Sequence, residues 1–534
     1  MQNRLPCTGQ GCILILSKSL KRGGIPVFAT VNSLGVQGVT GFAVRVEADV
    51  SSGLPQFAIV GLPDSAVKES ADRVRSALKN LGFSYPASRV TVNLAPAHVR
   101  KTGPVYDLPI FLALLCAGGQ TPMAAPDTAF LGELSLDGAV RGVAGVLPMA
   151  LAARQAGLRE LFVPAENAAE AAAAEGLCVY PVHTARDVVR HLSGEAPILP
   201  QPHTPYAPQA ADSLLDFADV RGQPEARRAL EVAAAGGHNA LLIGPPGTGK
   251  SMLAKRLPGI LPPLSFEEAL EATKIHSVAG LLSGGGLVRA RPFRAPHHSA
   301  SAVALTGGGA AARPGEVSLA HSGVLFLDEL PEFHRDALEA LRQPLEDGVI
   351  TVSRAAVHTR YPSRFMLVAA MNPCPCGYYG HPTRACTCTQ AAIQRYLRKV
   401  SGPLLDRIDL HIEAAPVAYD ALAGEAQGES SSAIAARVAA ARAVQQARYA
   451  GTGIACNAQL PSSMLRAACT LTPDAAALLK RVFGAMGLSA RAYDRILKVA
   501  RTIADLDGGG TICAGHVSEA VQYRGLDRKY WYDA

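Results

Sequence analysis

The sequence predicts an α/β protein in two parts: a mixed α+β domain over residues 27–195, then a doubly wound parallel sheet over 217–415 followed by a helical region, 416–534. Three observations carry this. An apolar run at 240–243 leads directly into a glycine-rich turn and a helix, which is how a strand-turn-helix unit of a parallel sheet begins. A second apolar run, 324–327, ends in Asp328-Glu329, as a buried strand would if it delivered acids to a sheet edge. Between the two parts, 196–216 is rich in proline and reads as a stiff linker.

Composition sets outer limits. A chain of 534 residues with 49% apolar content has material for three or four domains and an ordinary core. The formal net charge of +7 is small for this length, so it permits a polyanionic partner without demanding one. There is no apolar run of 18 residues, and 12–16 is too short and too oddly flanked for a signal-peptide core, so the expectation is a cytoplasmic protein with no membrane partner. Eleven cysteines in so long a chain are not a disulfide framework; the clustered ones are metal candidates.

Residues 1–26 lack helical or strand period and read as a leader, disordered or not native. From Val27, β-branched and apolar residues predict strands that continue through 42–46 and 57–60. Asp64 then caps a helix whose core face is Val67, Ala71, Val74, Leu78 and Leu81, stopped by Gly82. A strand at 90–94 leads to a helix at 108–117 closed by Gly118-Gly119. Residues 134–136 before Asp137-Gly138 signal a hairpin, an Ala/Leu-rich helix runs up to Gly157, and strands at 161–163 and 178–182 complete the domain.

In the second part, Gly244-Pro245-Pro246-Gly247-Thr248-Gly249-Lys250-Ser251 satisfies G-x-x-x-x-G-K-[ST] in full. The glycines let backbone N–H groups converge on anionic oxygens while the helix opening at Lys250 adds its positive end. Lys250 would reach the β- and γ-phosphates of ATP, and Ser251 with Asp328 would hold Mg²⁺. Glu329 would polarise the attacking water. The seventy-odd residues between these motifs imply an insertion. With its glycine triplets at 284–286 and 307–309 and with Arg289, Arg291, Arg294 and His297-His298, it would form basic loops at a substrate face or an ordinary solvated loop. For the histidine pair, hydrogen bonding is favoured over metal binding, because neighbours on a strand point to opposite faces.

A short hairpin, 349–352 and 355–359, carries Arg354, His358 and Arg360, and Arg354 and Arg360 are candidates for a phosphate backbone. A strand at 365–370 ends at Met371-Asn372, placing an Asn where it would orient the water or touch the γ-phosphate. Cys374-Pro375-Cys376 and Cys386-Thr387-Cys388, within the loop 374–388, offer four soft ligands on two tight turns: a closed, structural tetrahedral Zn²⁺ site, or four free thiols. In Leu404-Leu405-Asp406-Arg407-Ile408-Asp409-Leu410, Arg407 would neutralise charge on a γ-phosphate across a subunit boundary, or else pair with Asp406 or Asp409. Past Pro416 the chain turns helical, with an acidic, Ser-rich break at 424–432. Pro473 opens one helix and Ser489 another, with Arg491 at its first turn, where a phosphate partner would rationalise a cation.

This set of motifs resembles an AAA+ ATPase, and more closely the magnesium-chelatase-like branch known as ComM or YifB. The resemblance covers residue 27 to the end. Its specific stretches are G-L-P-D-S-A-V-K-E-S at 61–70, V-N-L-A-P-A at 92–97, R-P-F-R-A-P-H-H at 291–298 and M-N-P-C-P-C-G at 371–377. It implies Walker A at Lys250 and Ser251, Walker B at Asp328 and Glu329, sensor 1 at Asn372, the arginine finger at Arg407 and sensor 2 at Arg491. It also implies a P-loop AAA+ core with a C-terminal helical lid, and a hexamer of identical chains. The implied activity is an ATP-driven helicase that migrates branches while single-stranded DNA is integrated in natural transformation and homologous recombination. Residues 27–195 look like the Lon protease domain, of the ribosomal S5 domain 2 type, including G-E-L-S-L-D-G at 132–138. Yet Gly103-Pro104-Val105 stands where Lon has Gly-Pro-Ser, and the lysine slot falls at Leu147, so no nucleophile or base exists for proteolysis. The family's usual start resembles 28–31, which implies translation from Val27. The alternative function is a chelatase-type ATPase driving metal insertion. A zinc-bearing scaffold that binds nucleotide without turnover is disfavoured by Glu329 and Arg407, which mere binding does not require.

Overall fold

The computed structural model describes residues 21–22, 25–203, 205–209, 215–282, 286–309, 312–354, 357–417, 428–486 and 488–532. Most of the expected leader therefore lies outside the described residues; Lys21–Arg22 pairs antiparallel with Ile25–Pro26. The chain divides into two compact units, one of residues 1–206 with 273–288, the other of 207–272 with 289–534. The spacing of the motifs put 273–288 in an insertion of the nucleotide-binding half. In the structure this segment belongs to the first unit, where Ser277 O accepts from Gly145 N at 3.1 Å.

The first unit is built on a seven-stranded mixed sheet. Phe28–Gln37 and Thr40–Ser51 form its long antiparallel centre, joined through Arg89–Ala95 to Gln56–Val60 on one side. On the other side come Thr128–Phe130, Glu160–Pro164 and Cys178–Val182, all parallel. The expected single helix after Asp64 is broken at Glu69 into Ser65–Lys68 and Ser70–Asn80, while Asp64 does cap the first piece by accepting from Val67 N at 2.8 Å. Helix Asp107–Ala117 is buried along its whole length. Its one charge, Asp107, is neutralised by Arg73 Nε at 2.6 Å and also accepts from Leu134 N at 3.1 Å, as a buried carboxylate requires. The expected linker does not begin at 196: Ile198 N donates to His191 Nδ1 at 2.9 Å and Gln201 N to Val179 O at 2.7 Å, so this stretch lines the sheet edge, where an unpaired carbonyl was available.

The second unit is a five-stranded, wholly parallel sheet in the order Phe293–Arg294, Val324–Leu327, Met366–Met371, Ala240–Ile243, Leu410–Glu413. Side chains alternate between two cores. Leu242, Phe326, Val368 and Ile412 enter one with the C-terminal helices; Ile243, Leu325, Leu327 and Ala369 enter the other with Tyr396, Leu404 and Cys374. Burial on both faces explains the continuous apolar runs, and it places every functional loop at one edge or the other of the sheet. Helices Ser431–Arg448, Pro473–Met486, Ala490–Leu506 and Ala514–Gln522 follow, the third opened by Ser489 accepting from Ala492 N at 3.2 Å. Among the described residues, no helix is long and apolar enough to cross a membrane.

Candidate functional site

At the carboxyl edge of the parallel sheet the phosphate loop leaves Ile243. Gly244 is held so close to Ala414 O that a Cβ would sit 2.2 Å from it, and Gly247 and Gly249 take φ of 80° and 82°, which only glycine adopts without strain. Gly249 is the residue from which helix Lys250–Arg256 starts. Lys250 is largely buried and folds back over its own loop: Nζ donates to Gly244 O and Pro245 O at 2.8 Å each and to Asn372 Oδ1 at 3.1 Å. Burial pulls its pKa down to about 8 against the opposing field of Asp328. Thr248 Oγ1 closes the loop onto Pro245 O at 2.9 Å.

The acid strand Val324–Leu327 and the asparagine strand Met366–Met371 are adjacent, and the latter lies directly beside the phosphate-loop strand. This order brings Asp328, Glu329, Asn372, Lys250 and Ser251 to one edge. Ser251 Oγ donates to Asp328 Oδ2 at 2.5 Å, so two hard oxygen donors stand side by side and fit Mg²⁺. Glu329 is exposed in the left-handed region at φ 53°, and its Oε2 lies 3.2 Å from His298 Nδ1. The histidine pair is thus not on a strand facing opposite ways. It sits in a turn with ring centroids 4.0 Å apart, and His298 reaches the acid that the motif reading assigned to water activation.

Arg407 lies elsewhere. Leu410, three residues on, pairs with Ala240, the first residue of the phosphate-loop strand, and Arg407 O accepts from Asn239 Nδ2 at 2.8 Å. Arg407 therefore stands at the amino edge of the sheet while Lys250 stands at the carboxyl edge, a strand of about 13 Å away at roughly 3.3 Å per residue. Neither Asp406 nor Asp409 is its ion-pair partner. Its guanidinium pairs with Glu346 and donates to Pro403 O at 2.6 Å. That contact holds the Glu346 carboxyl below the usual carboxylate range, with Arg491 adding to the pull, so Arg407 and Arg491 share one neighbourhood. Arg491 is exposed at the first turn of helix Ala490–Leu506. Asp409 instead anchors that helix: Oδ1 pairs with Arg495 at 3.2 Å, and Oδ2 lies 3.2 Å from His238 Nδ1, whose Nε2 is 2.8 Å from Thr502 Oγ1. Burial alone would raise the Asp409 pKa; the His238 hydrogen bond and the Arg495 charge outweigh it and hold it low.

Arg291 and Arg294 are not free basic loops. Arg291 pairs with Glu268 at 2.9 Å and Arg294 with Glu316 at 2.6 Å. The hairpin Val349–Arg354 with Val357–Pro362 is present and longer than expected, fixed by Tyr361 OH donating to Ala312 O at 2.7 Å. Arg360 is exposed on it; the side chain of Arg354 lies outside what is described, as do 284 and 285 of the first glycine triplet.

The four cysteines converge. Cys374 Sγ is 3.4 Å from Cys376 Sγ and 3.7 Å from Cys386 Sγ, Cys376 and Cys386 are 3.5 Å apart, and all four sulfurs lie within 4.8 Å of one another. Backbone N–H groups of Tyr379, Cys376 and Cys388 point at Cys374, Cys388 and Cys386. This donor set fits a closed Zn²⁺ site. Gly377, at φ 84°, abuts the phosphate loop: a Cβ there would meet Pro246 Cδ at 2.5 Å. In the first unit, Val105 is buried and Leu147 N donates to Glu170 Oε1 at 2.7 Å, so neither position the Lon resemblance singles out offers a nucleophile or an amine.

Three family profiles match the chain: "Magnesium chelatase, subunit ChlI" over 216–422, "Subunit ChlI of Mg-chelatase" over 46–167 and "Magnesium chelatase, subunit ChlI C-terminal" over 428–524. The chain is similar to competence protein ComM of Haemophilus influenzae, 46% identical over 94% of this chain and 98% of that protein. It is 46% identical to YifB of Escherichia coli over 93% of this chain and 97% of the relative. A Lon protease of Mycolicibacterium smegmatis is 31% identical over 28% of this chain and 20% of the protease.

Proposed function

The chain belongs to the ComM/YifB family of magnesium-chelatase-like proteins, and from that premise we propose that it is a ring-forming, ATP-hydrolysing DNA motor acting in helicase or branch-migration steps of single-strand integration. The observation that carries this reading is the split of its charged groups across the sheet. Lys250, Ser251, Asp328, Glu329 and Asn372 stand at one edge, while Arg407 stands at the other with Arg491 in its neighbourhood. An arginine there does not reach the phosphates of its own chain, so the site is complete only when a second copy presents Arg407 to it. Closed rotation of such head-to-tail contacts gives a ring; six copies is the family's expectation.

On nucleotide entry, Lys250 exchanges the two loop carbonyls for β- and γ-phosphate oxygens, and Asn372, now released from Nζ, orients the water that Glu329 deprotonates. Mg²⁺, when held by Ser251 and Asp328, supplies charge neutralisation between the phosphates. Arg407 and Arg491 of a neighbouring copy stabilise the developing charge, and the C-terminal helices act as a lid tethered through Asp409 to the finger segment. The first unit serves as scaffold or DNA contact without proteolysis. DNA as partner is supported by the competence name of one relative and by exposed Arg360 on the hairpin.

The test is ATP turnover with and without single-stranded or forked DNA. Stimulation with unwinding is expected; an assembled protein whose turnover ignores DNA and that separates no strands would overturn the motor. The profile descriptions favour one second reading, metal insertion into a tetrapyrrole, which predicts that porphyrin and not DNA raises the rate.

A further inference from the structure

A cleft of about 710 Å³ opens in the second unit between the segment that follows the acid strand and helix Gln390–Leu397. Its walls carry Arg335, Arg395, Arg398, Lys399 and His334, against a single acid, Glu332. That acid is already matched by Lys399 at 3.1 Å. Among the described residues, none forms a hydrogen bond or ion pair with the guanidinium of Arg335, Arg395 or Arg398, and all three side chains are exposed. Several other arginines of this unit are matched to acids, among them Arg291, Arg294, Arg407, Arg437 and Arg448. Arg335 feels the field of Glu339 one turn along its own helix, but three guanidinium groups without a hydrogen-bonded acid on one concave surface favour an anion entering between them.

We propose that this cleft binds the sugar-phosphate backbone of a nucleic-acid strand. Guanidinium forks match phosphate oxygens in bidentate fashion. Arg395 lies in the last turn of this helix and Arg398 is its C-cap, three residues on and about 5–6 Å away at Cβ, a spacing that suits successive phosphates along a strand, and Arg335 lines the same cleft. Phe333 is buried and the one exposed ring on the wall is the His334 imidazole, so the contacts fall mainly on phosphates and recognition is independent of sequence. Glu332 lies three residues beyond Glu329, so a strand seated here touches the segment that continues directly from the hydrolytic acid. The inference rests on the DNA-motor reading and assigns it a contact surface distinct from the hairpin.

The test uses the full chain and a labelled single-stranded oligonucleotide, with anisotropy read from about 50 to 200 mM salt. The triple variant R335Q/R395Q/R398Q should bind more weakly, and the slope of log affinity against log salt should fall in magnitude by about 2, three contacts at roughly 0.7 each. The charge-preserving R335K/R395K/R398K should restore the slope, which a folding defect would not. A wild-type protein that binds while the glutamine variant keeps the same affinity and slope would overturn the cleft and leave the motor standing. A wild-type protein that binds no DNA at any salt would overturn both. Displacement of the label by polyglutamate as readily as by unlabelled DNA would assign the cleft to an acidic polypeptide and overturn the proposal.

Discussion

Replacing Cys386 and Cys388 by serine removes two of four sulfurs that the fold has gathered beside the phosphate loop. A tetrahedral zinc with Zn–S bonds of about 2.3 Å requires S···S separations of about 3.8 Å, and three of the separations in the cluster are 3.4, 3.5 and 3.7 Å. A disulfide would need about 2.0 Å, so the cluster has the span of a metal site. Purified protein should therefore carry one zinc per chain by plasma mass spectrometry, and C386S/C388S should carry none. The effect should reach catalysis. Cys374 is two residues beyond Asn372, and Gly377 rests on Pro246; a displacement of about 1 Å at a positioning group costs on the order of 10²-fold in turnover. The reasoning is refuted if the wild-type protein holds no zinc, its four thiols react freely with a disulfide reagent, and its ATP turnover matches that of C386S/C388S.

Glu329→Gln should bind ATP and assemble yet lose on the order of 10²–10⁴-fold in single-turnover hydrolysis; undiminished turnover would remove Glu329 from its role. His298→Ala frees Glu329 from its contact at 3.2 Å; an exposed pair of this kind is worth about 0.2–1 kcal/mol, so DNA-free turnover should rise up to about fivefold, and a fall would reverse the assignment. Asp409→Ala leaves His238 and Arg495 uncompensated and should cost about 3–5 kcal/mol by denaturant unfolding. Because the folded pKa of Asp409 is depressed, its stabilisation is full above the unfolded value near 4 and is lost as pH falls through the folded value. Denaturant unfolding should accordingly show wild type more stable than Asp409→Asn near neutral pH, the difference shrinking as pH falls through the folded value, and a difference that persists or grows at low pH would contradict the assignment.

The parts of this protein that could be read from its sequence are those whose geometry is local. The phosphate loop announces itself because a turn must satisfy φ near 80° at Gly247 and Gly249 within eight residues. The apolar runs before Ser251, Asp328 and Asn372 mark strands covered on both faces. What local pattern does not contain is pairing at long range. His298 meets Glu329 across 31 residues, Glu346 meets Arg407 across 61, and the Asp409 anchor joins residues 238, 409 and 495. None has a periodicity to betray it. The pairing of Arg291 and Arg294 is hidden for the same reason, since Glu268 and Glu316, which take them up, lie 23 and 22 residues away. A local signal does exist for helix Ala185–Leu192, absent from the expected elements: Thr184 with Asp187 is the capping box that opens it. Thr128–Phe130, at three residues, is too short to show any period.

The central claim is that each ATP site is shared between two copies, Lys250 from one and Arg407 from the next. It is tested most directly by mixing two inactive variants, Lys250→Ala and Arg407→Ala, in equal amounts under assembling conditions. Each alone should hydrolyse no ATP. Together, a site with intact lysine meets a neighbour with intact arginine half of half the time, so about a quarter of wild-type turnover should return. No recovery from any mixture, or full turnover by Arg407→Ala alone, would contradict the shared site.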